Sequence, residues 1–182
     1  MSFAIPSTCI LAAICILALS GCAQEPTTSG IHEAAAAGNV VDLAIWLGEG
    51  VSINEADEDG ATPLVLASRA GHDAAVALLL AERVSTRDSQ ALAVAAEAGF
   101  PKVVTLLIAA GMDVNKSTNA YNGLTALMMA AREGHLDVMV TFVEAGATVN
   151  RQTPSGISAL SSAAAGATRT QSSFCLALER RS

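Results

Sequence analysis

Residues 60–80, GATPLVLASRAGHDAAVALLL, contain the pattern from which the fold of this chain can be predicted. The stretch predicts a short helix, a Gly-His turn and a second, apolar helix. Thr62 suits the cap of the first helix and Pro63 suits its first turn. Gly71 falls where that helix must end in a left-handed residue. In the second helix, Val76 and Leu79 recur at helical spacing, so one face is apolar and needs a partner.

The same pattern recurs along residues 31–165. Its other copies are IHEAAAAGNVVDLAIWLGEGVSIN at 31–54, ALAVAAEAGFPKVVTLLIAAGMDVN at 91–115 and GLTALMMAAREGHLDVMVTFV at 123–143. The glycines between the paired helices, at 38, 71, 99 and 134, are 33, 28 and 35 residues apart. A repeat of this length predicts that helix pairs stack into one continuous core, because no pair alone can bury its apolar face.

A period near 33 residues resembles the ankyrin repeat, as do the motifs Thr62-Pro63-Leu64, Gly71-His72 and Gly134-His135. The resemblance implies an all-α solenoid of helix pairs with hairpin-like loops. About four full repeats are expected, near 31–59, 60–89, 90–122 and 123–155, followed by a degenerate fifth at 156–165. Such a stack presents an extended surface for binding another protein.

The uneven spacing predicts two unusual loops. The 28-residue step leaves the chain five residues short of 33, and the loss falls at Arg87–Gln90. The 35-residue step adds two residues, which we place at Lys116–Asn122. One loop should therefore be shortened and its neighbour enlarged.

The N-terminal segment reads as a secretory signal. Residues 1–21 carry no charge, and the apolar run at 9–19 is too short to span a bilayer comfortably. Leu19-Ser20-Gly21-Cys22 resembles the bacterial lipobox, which implies cleavage after residue 21, acylation of Cys22 and a polar tether at 22–30. An uncleaved anchor and an ordinary signal cut elsewhere are the alternatives.

That resemblance also implies a location. A lipid-anchored protein belongs to the bacterial cell envelope, and Ala23 after the modified cysteine favours the outer membrane facing the periplasm. At the opposite end, residues 166–182 match the repeat poorly. They are either a divergent cap or a truncated or frameshifted repeat.

Charge narrows the class of partner. The formal net charge is −7, which argues against nucleic-acid binding. Ten acidic residues and one basic residue lie between Glu25 and Glu82, whereas the chain beyond Leu92 is nearly balanced. The acidic run at Glu55–Asp59 is either a solvated loop, a surface for a basic partner or a calcium site, although it lacks the ligand order of an EF-hand.

Nothing in the chain predicts chemistry. The histidines at 32, 72 and 135 occupy positions where the ankyrin resemblance commonly places His. No nucleophile elbow or phosphate-binding loop is present. We therefore expect no catalytic, cofactor-binding or metal site, and no enzymatic activity.

The resemblance assigns partner binding to loop tips and to the exposed face of the first helices. On this chain those positions are Glu58, Asp59, Arg69, Glu97, Tyr121, Asn122, Leu124, Arg132 and Glu133. The sequence thus favours a monomeric, lipid-anchored adaptor, stabiliser or inhibitor that binds an unidentified protein. An immunity protein for an envelope toxin and a structural envelope lipoprotein without a tight ligand are the alternatives.

Overall fold

The computed structural model of the chain describes residues 28–82, 84–86, 89–118 and 122–166. These residues form nine α-helices. In chain order they are α1 (Thr28–Ala37), α2 (Val40–Gly48), α3 (Pro63–Ala70), α4 (Asp73–Ala81), α5 (Gln90–Ala98), α6 (Pro101–Ala109), α7 (Ala126–Glu133), α8 (Leu136–Glu144) and α9 (Ala159–Ala165). Two residues join the helices of each of the four pairs, so the expected all-α solenoid is confirmed.

The pairs stack in two layers. The first helices α1, α3, α5, α7 and α9 each contact the next one along the chain, and the second helices α2, α4, α6 and α8 do the same. Ala67, Ala95 and Ala130 are completely buried in the first layer. Their small side chains let neighbouring first helices approach closely, so one core runs through the whole stack.

Consecutive repeats contact each other where an aromatic or imidazole ring of one repeat lies over the inter-helix glycine of the repeat before it. Gly38, Gly71 and Gly99 all have positive φ, the left-handed conformation that glycine adopts without penalty. The ring that follows the next inter-helix glycine lies directly over each of them. A Cβ atom at any of these glycines would come within 2.5 Å of that ring. The three pairs are His72 over Gly38, Phe100 over Gly71, and His135 over Gly99.

Side-chain caps begin most of the first helices. Thr62 accepts a hydrogen bond from Val65 N–H, and Thr125 accepts one from Met128 N–H. Ser158 forms a full capping box at α9. Ser89, before α5, makes no side-chain cap bond. Ser89 takes the place of the threonine that caps α3 and α7, and its backbone is helical (ψ 0°) instead of extended.

The loops between pairs form hairpin-like fingers of two sizes. In the first finger, Asp57 N–H donates to the Ala61 carbonyl at 2.9 Å, and in the last, Thr153 N–H donates to the Ile157 carbonyl at 2.8 Å. The equivalent bond in the third loop joins Thr118 N–H to the Leu124 carbonyl at 3.1 Å. It closes seven residues instead of five, so the predicted two-residue enlargement is present.

The loop between α4 and α5 is the short one. Residues 82–89 separate these helices, whereas residues 49–62 separate α2 from α3. The loop before α5 is therefore six residues shorter than the loop before α3, as the short repeat step predicts.

Helix α1 begins within the segment that was predicted to be a polar tether. Residues 28–30 of that segment form its first turn, and the half-buried Trp46 ring packs against Gly30. The predicted signal segment 1–21, Cys22 and the tail beyond residue 166 lie outside the described residues. No helix within the described part of the chain has the length and apolar character needed to cross a bilayer.

Candidate protein-binding surface

An open groove of about 560 Å³ lies between the first finger and the first helices α1 and α3. Four of its lining residues carry carboxylates and come from two different parts of the chain, so the groove is strongly acidic. The lining residues are His32, Glu33, Ala36, Ala56, Asp57, Glu58, Asp59 and Leu66.

Asp57 holds the finger that forms one wall of this groove. Its Oδ1 accepts hydrogen bonds from the main-chain N–H groups of Ala61 at 2.8 Å and Asp59 at 3.0 Å. Asx side chains favour turns because they can bond the main chain in this way. Glu58 and Asp59 are consequently presented from a fixed turn.

Histidine side chains tie the groove and the repeats together. His32 Nε2 lies 2.9 Å from the Glu55 carbonyl, which joins α1 to the base of the finger. His72 Nε2 is 3.0 Å from the Ala36 carbonyl, and His135 Nε2 is 2.9 Å from the Glu97 carbonyl. A carbonyl oxygen only accepts, so Nε2 carries the proton and donates in each case.

These contacts give the histidines a structural role. Each Nε2 is occupied by a bond to the main chain, and the three rings belong to different repeats. The described residues contain no group of three or more His, Cys, Asp or Glu side chains able to hold a metal ion.

A second polar cluster lies further along the stack. Arg132 on α7 donates from Nη2 to Glu97 of α5 at 2.9 Å, and from Nε to Glu133 at 2.8 Å. The hydrogen bond to Glu133 raises the pKa of Arg132 above its usual value, with partial burial acting in the opposite direction. The guanidinium therefore remains charged, and it links two consecutive repeats on the exposed face.

The structure brings most of the predicted partner-binding residues into these two regions. Glu58 and Asp59 line the groove, and Glu97, Arg132 and Glu133 form the cluster. Arg69 is exposed near the C-terminal end of α3. It occupies the same place before its inter-helix glycine as Glu97 and Arg132 do, so it lies between the two regions along the stack.

The enlarged finger gives a mixed outcome. Asn122 is exposed with φ at 54°, a left-handed conformation that Asn tolerates better than most residues. Leu124 is a correction: it is only 9% exposed and belongs to the hydrophobic core, as does Ala61 at the equivalent place in the first finger. An apolar residue just before the helix cap packs under the finger. Tyr121 lies outside the described residues.

Sequence reasoning missed several residues of the groove. It assigned the finger tip to binding but left out Asp57, and it did not include Glu33, Ala36 or Leu66 from the first helices. A signal was available for Ala36. It lies 33 residues before Arg69, so the repeat register places both at the same point of successive first helices.

Comparison with protein families accounts for most of the described chain. A family model described as ankyrin repeats, in three copies, matches residues 31–118, and a single ankyrin-repeat model matches residues 122–154. Together they cover about two thirds of the chain. The three residues between the two matches fall in the enlarged finger.

Proposed function

We propose that this chain, which belongs to the ankyrin-repeat family, binds another protein. We further propose that it is held at a bacterial envelope membrane through acylated Cys22. Ankyrin repeats are protein–protein interaction modules. The finer parts of the proposal are the acidic groove as the binding site, the envelope location and the lipid anchor.

The observation that carries the proposal is a row of charged side chains along the exposed face of the first helices. It starts at the groove, continues past Arg69 and ends at the Glu97–Arg132 pair. Repeat proteins use such extended faces for binding.

Charge indicates the chemistry of the partner. Glu33, Asp57, Glu58 and Asp59 all line one groove, and a Lys- or Arg-rich segment is the complementary ligand. Complementary charge speeds association and rejects partners of the wrong sign. The proposed partner is therefore a protein with a basic segment exposed at the membrane surface.

The same groove favours one specific alternative. A secreted toxin with a basic active surface would also fit it, and the chain would then be the toxin's immunity partner. Co-expression separates the two roles: an immunity partner protects cells against the toxin, whereas an adaptor does not.

Capture from detergent-solubilised membranes of the native host tests the groove. The full chain is compared with Glu58→Lys/Asp59→Lys, and recovered proteins are quantified by mass spectrometry. We expect the partner to be depleted from the variant. A matched control is Asp137→Lys on α8, where α6 carries Lys102 at the equivalent position. Equal recovery with the groove variant and the wild type would reject the groove as the site.

The anchor has a separate test. Cys22→Ser should abolish incorporation of labelled fatty acid and move the protein out of the membrane pellet. Fatty-acid labelling that persists in Cys22→Ser would show that the lipid is attached elsewhere.

A further inference from the structure

Helix α2 exposes apolar side chains that the fold does not cover. Val41 is 69% exposed and Ile45 is 47% exposed, the two highest values among the large hydrophobic side chains of the described residues. They are four residues apart, so they lie one above the other on the same side of the helix. We refer to these two side chains as the α2 apolar face.

The inner repeats do not share this feature. The repeat register aligns Val41 with Ala74, Lys102 and Asp137, which are small or charged residues on the outer side of the second helices. An exposed valine at this position is therefore peculiar to the first repeat. Folding of a helix pair does not require it.

Ile45 is uncovered for a geometric reason. Its counterparts Leu78 and Leu106 are half-buried against the core. Among the described helices, α2 packs on α1 and on α4 and has no neighbour on its other side, where an inner second helix would have one. The α2 apolar face therefore extends from the outer side of the second-helix layer, at Val41, to the open end of the stack, at Ile45.

That end is also the one nearest the proposed lipid anchor. Six residue steps separate Cys22 from Thr28, where α1 begins, and a chain of that length spans at most about 20 Å. The start of α1 is fixed against α2, because the Trp46 ring packs on Gly30. An acyl chain on Cys22 therefore keeps the α2 apolar face close to the bilayer surface.

We infer that the α2 apolar face docks onto the lipid surface in which Cys22 is anchored, and so sets the orientation of the solenoid on the membrane. The inference rests on the proposed acylation of Cys22. Two apolar side chains alone bind a bilayer weakly, but tethering makes the contact intramolecular, so a weak contact is sufficient. Asp42 on α2 and Glu49 just after its end are both exposed, and these two carboxylates favour zwitterionic over anionic headgroups.

This orientation suits the proposed binding role. The acidic groove belongs to the first-helix layer and its fingers, whereas the α2 apolar face belongs to the outer side of the second-helix layer. Docking through α2 leaves the groove open to water and to a partner.

The only tryptophan of the chain, Trp46, follows Ile45 and serves as the reporter. The full lipidated protein is reconstituted into phosphatidylcholine vesicles containing brominated acyl chains, which quench tryptophan at short range. The test variant is Val41→Asp/Ile45→Thr, which takes the residues that α8 carries at the same positions, Asp137 and Thr141. It should fold normally, remain in the vesicle fraction and show a docked fraction reduced on the order of tenfold.

Val140→Thr is the matched control, because Val140 is an exposed apolar residue of α8 and Thr105 occupies its place in α6. It should be quenched as strongly as the wild type. Wild-type protein that floats with the vesicles but is quenched no more than the double variant would overturn docking and leave the anchor intact. Wild-type protein absent from the vesicle fraction would reject the anchor and docking together.

A second copy of the chain is the competing occupant of the α2 apolar face. Sedimentation in detergent distinguishes it: a wild-type dimer that the double variant converts to monomer would overturn the lipid assignment. A monomer in both cases, together with quenching that depends on Val41 and Ile45, supports it.

Discussion

Replacing Gly99 by alanine should weaken the stack far more than its backbone conformation alone accounts for. Gly99 ends α5 with φ at 79°, and the His135 ring of the next repeat lies over it. A Cβ atom at Gly99 would lie 2.5 Å from His135 Nδ1 and Cε1. Such a contact is too short to exist, so either the ring or the helix end must move. Both are held by packing, and the movement therefore costs free energy.

The expected loss has three parts. A left-handed alanine costs roughly 1–2 kcal/mol. Displacing a packed ring adds about 1–3 kcal/mol. Moving His135 also breaks its 2.9 Å bond to the Glu97 carbonyl, a contribution of about 0.5–1.5 kcal/mol. The free energy of unfolding should therefore fall by about 2.5–6.5 kcal/mol in Gly99→Ala, on the sum of these terms.

Gly50 provides the matched control. It has the same φ of 79°, yet nothing lies within 4 Å of a Cβ atom built there. Gly50→Ala should therefore lose only the backbone term of roughly 1–2 kcal/mol. The difference between the two variants isolates the contact between repeats from the conformational preference of glycine.

Urea unfolding, followed both by far-UV circular dichroism and by Trp46 fluorescence, measures the effect. Circular dichroism reports all helices, whereas Trp46 reports the first repeat. Stability in repeat proteins is close to a sum of repeat and nearest-neighbour terms. We therefore expect Gly99→Ala to shift the circular dichroism transition more than the Trp46 transition. Equal destabilisation by Gly99→Ala and Gly50→Ala would refute the argument that ring-on-glycine contacts hold the repeats in register.

Three further substitutions test individual contacts. Ser68→Ala should raise the free energy of unfolding by about 1 kcal/mol, because the buried Ser68 hydroxyl has no hydrogen-bond partner within the described residues. A lower urea midpoint in this variant would show that the hydroxyl does form a hydrogen bond. His135→Phe should lower the melting temperature, because it removes the hydrogen bond to the Glu97 carbonyl, worth about 0.5–1.5 kcal/mol. The variant keeps a ring over Gly99, as Phe100 does over Gly71. An unchanged melting temperature would show that this bond does not contribute to stability. Asp57→Ala should speed hydrogen exchange at the Asp59 and Ala61 amides, because both donate to the Asp57 side chain. Asp57→Asn keeps an acceptor oxygen and should largely preserve their protection. Similar exchange rates in the two variants would argue against an Asx turn.

Much of the fold was predictable because the same helix–glycine–helix pattern recurs four times along the chain. The Thr62 cap and the left-handed glycines are local requirements of a helix, and each can be identified from a few adjacent residues. Counting residues between equivalent glycines located the enlarged finger as well. The site was less predictable: register identified the exposed positions of the first helices, but Leu124, at the end of a finger, is buried beneath it.

The sequence predicts the repeat period, the Thr62 cap, the helix-ending glycines, the acidic run and the positions of the histidines, because each of these can be identified along the chain. The stacked structure was needed to show that Glu33 and Leu66 join the finger in one groove, that Glu97 pairs with Arg132, and that Val41 and Ile45 are exposed. These facts depend on residues about one repeat apart, or on the absence of a neighbouring helix. Their physical reason is stacking, which sets which side chains meet and which apolar face remains uncovered at the end of the solenoid.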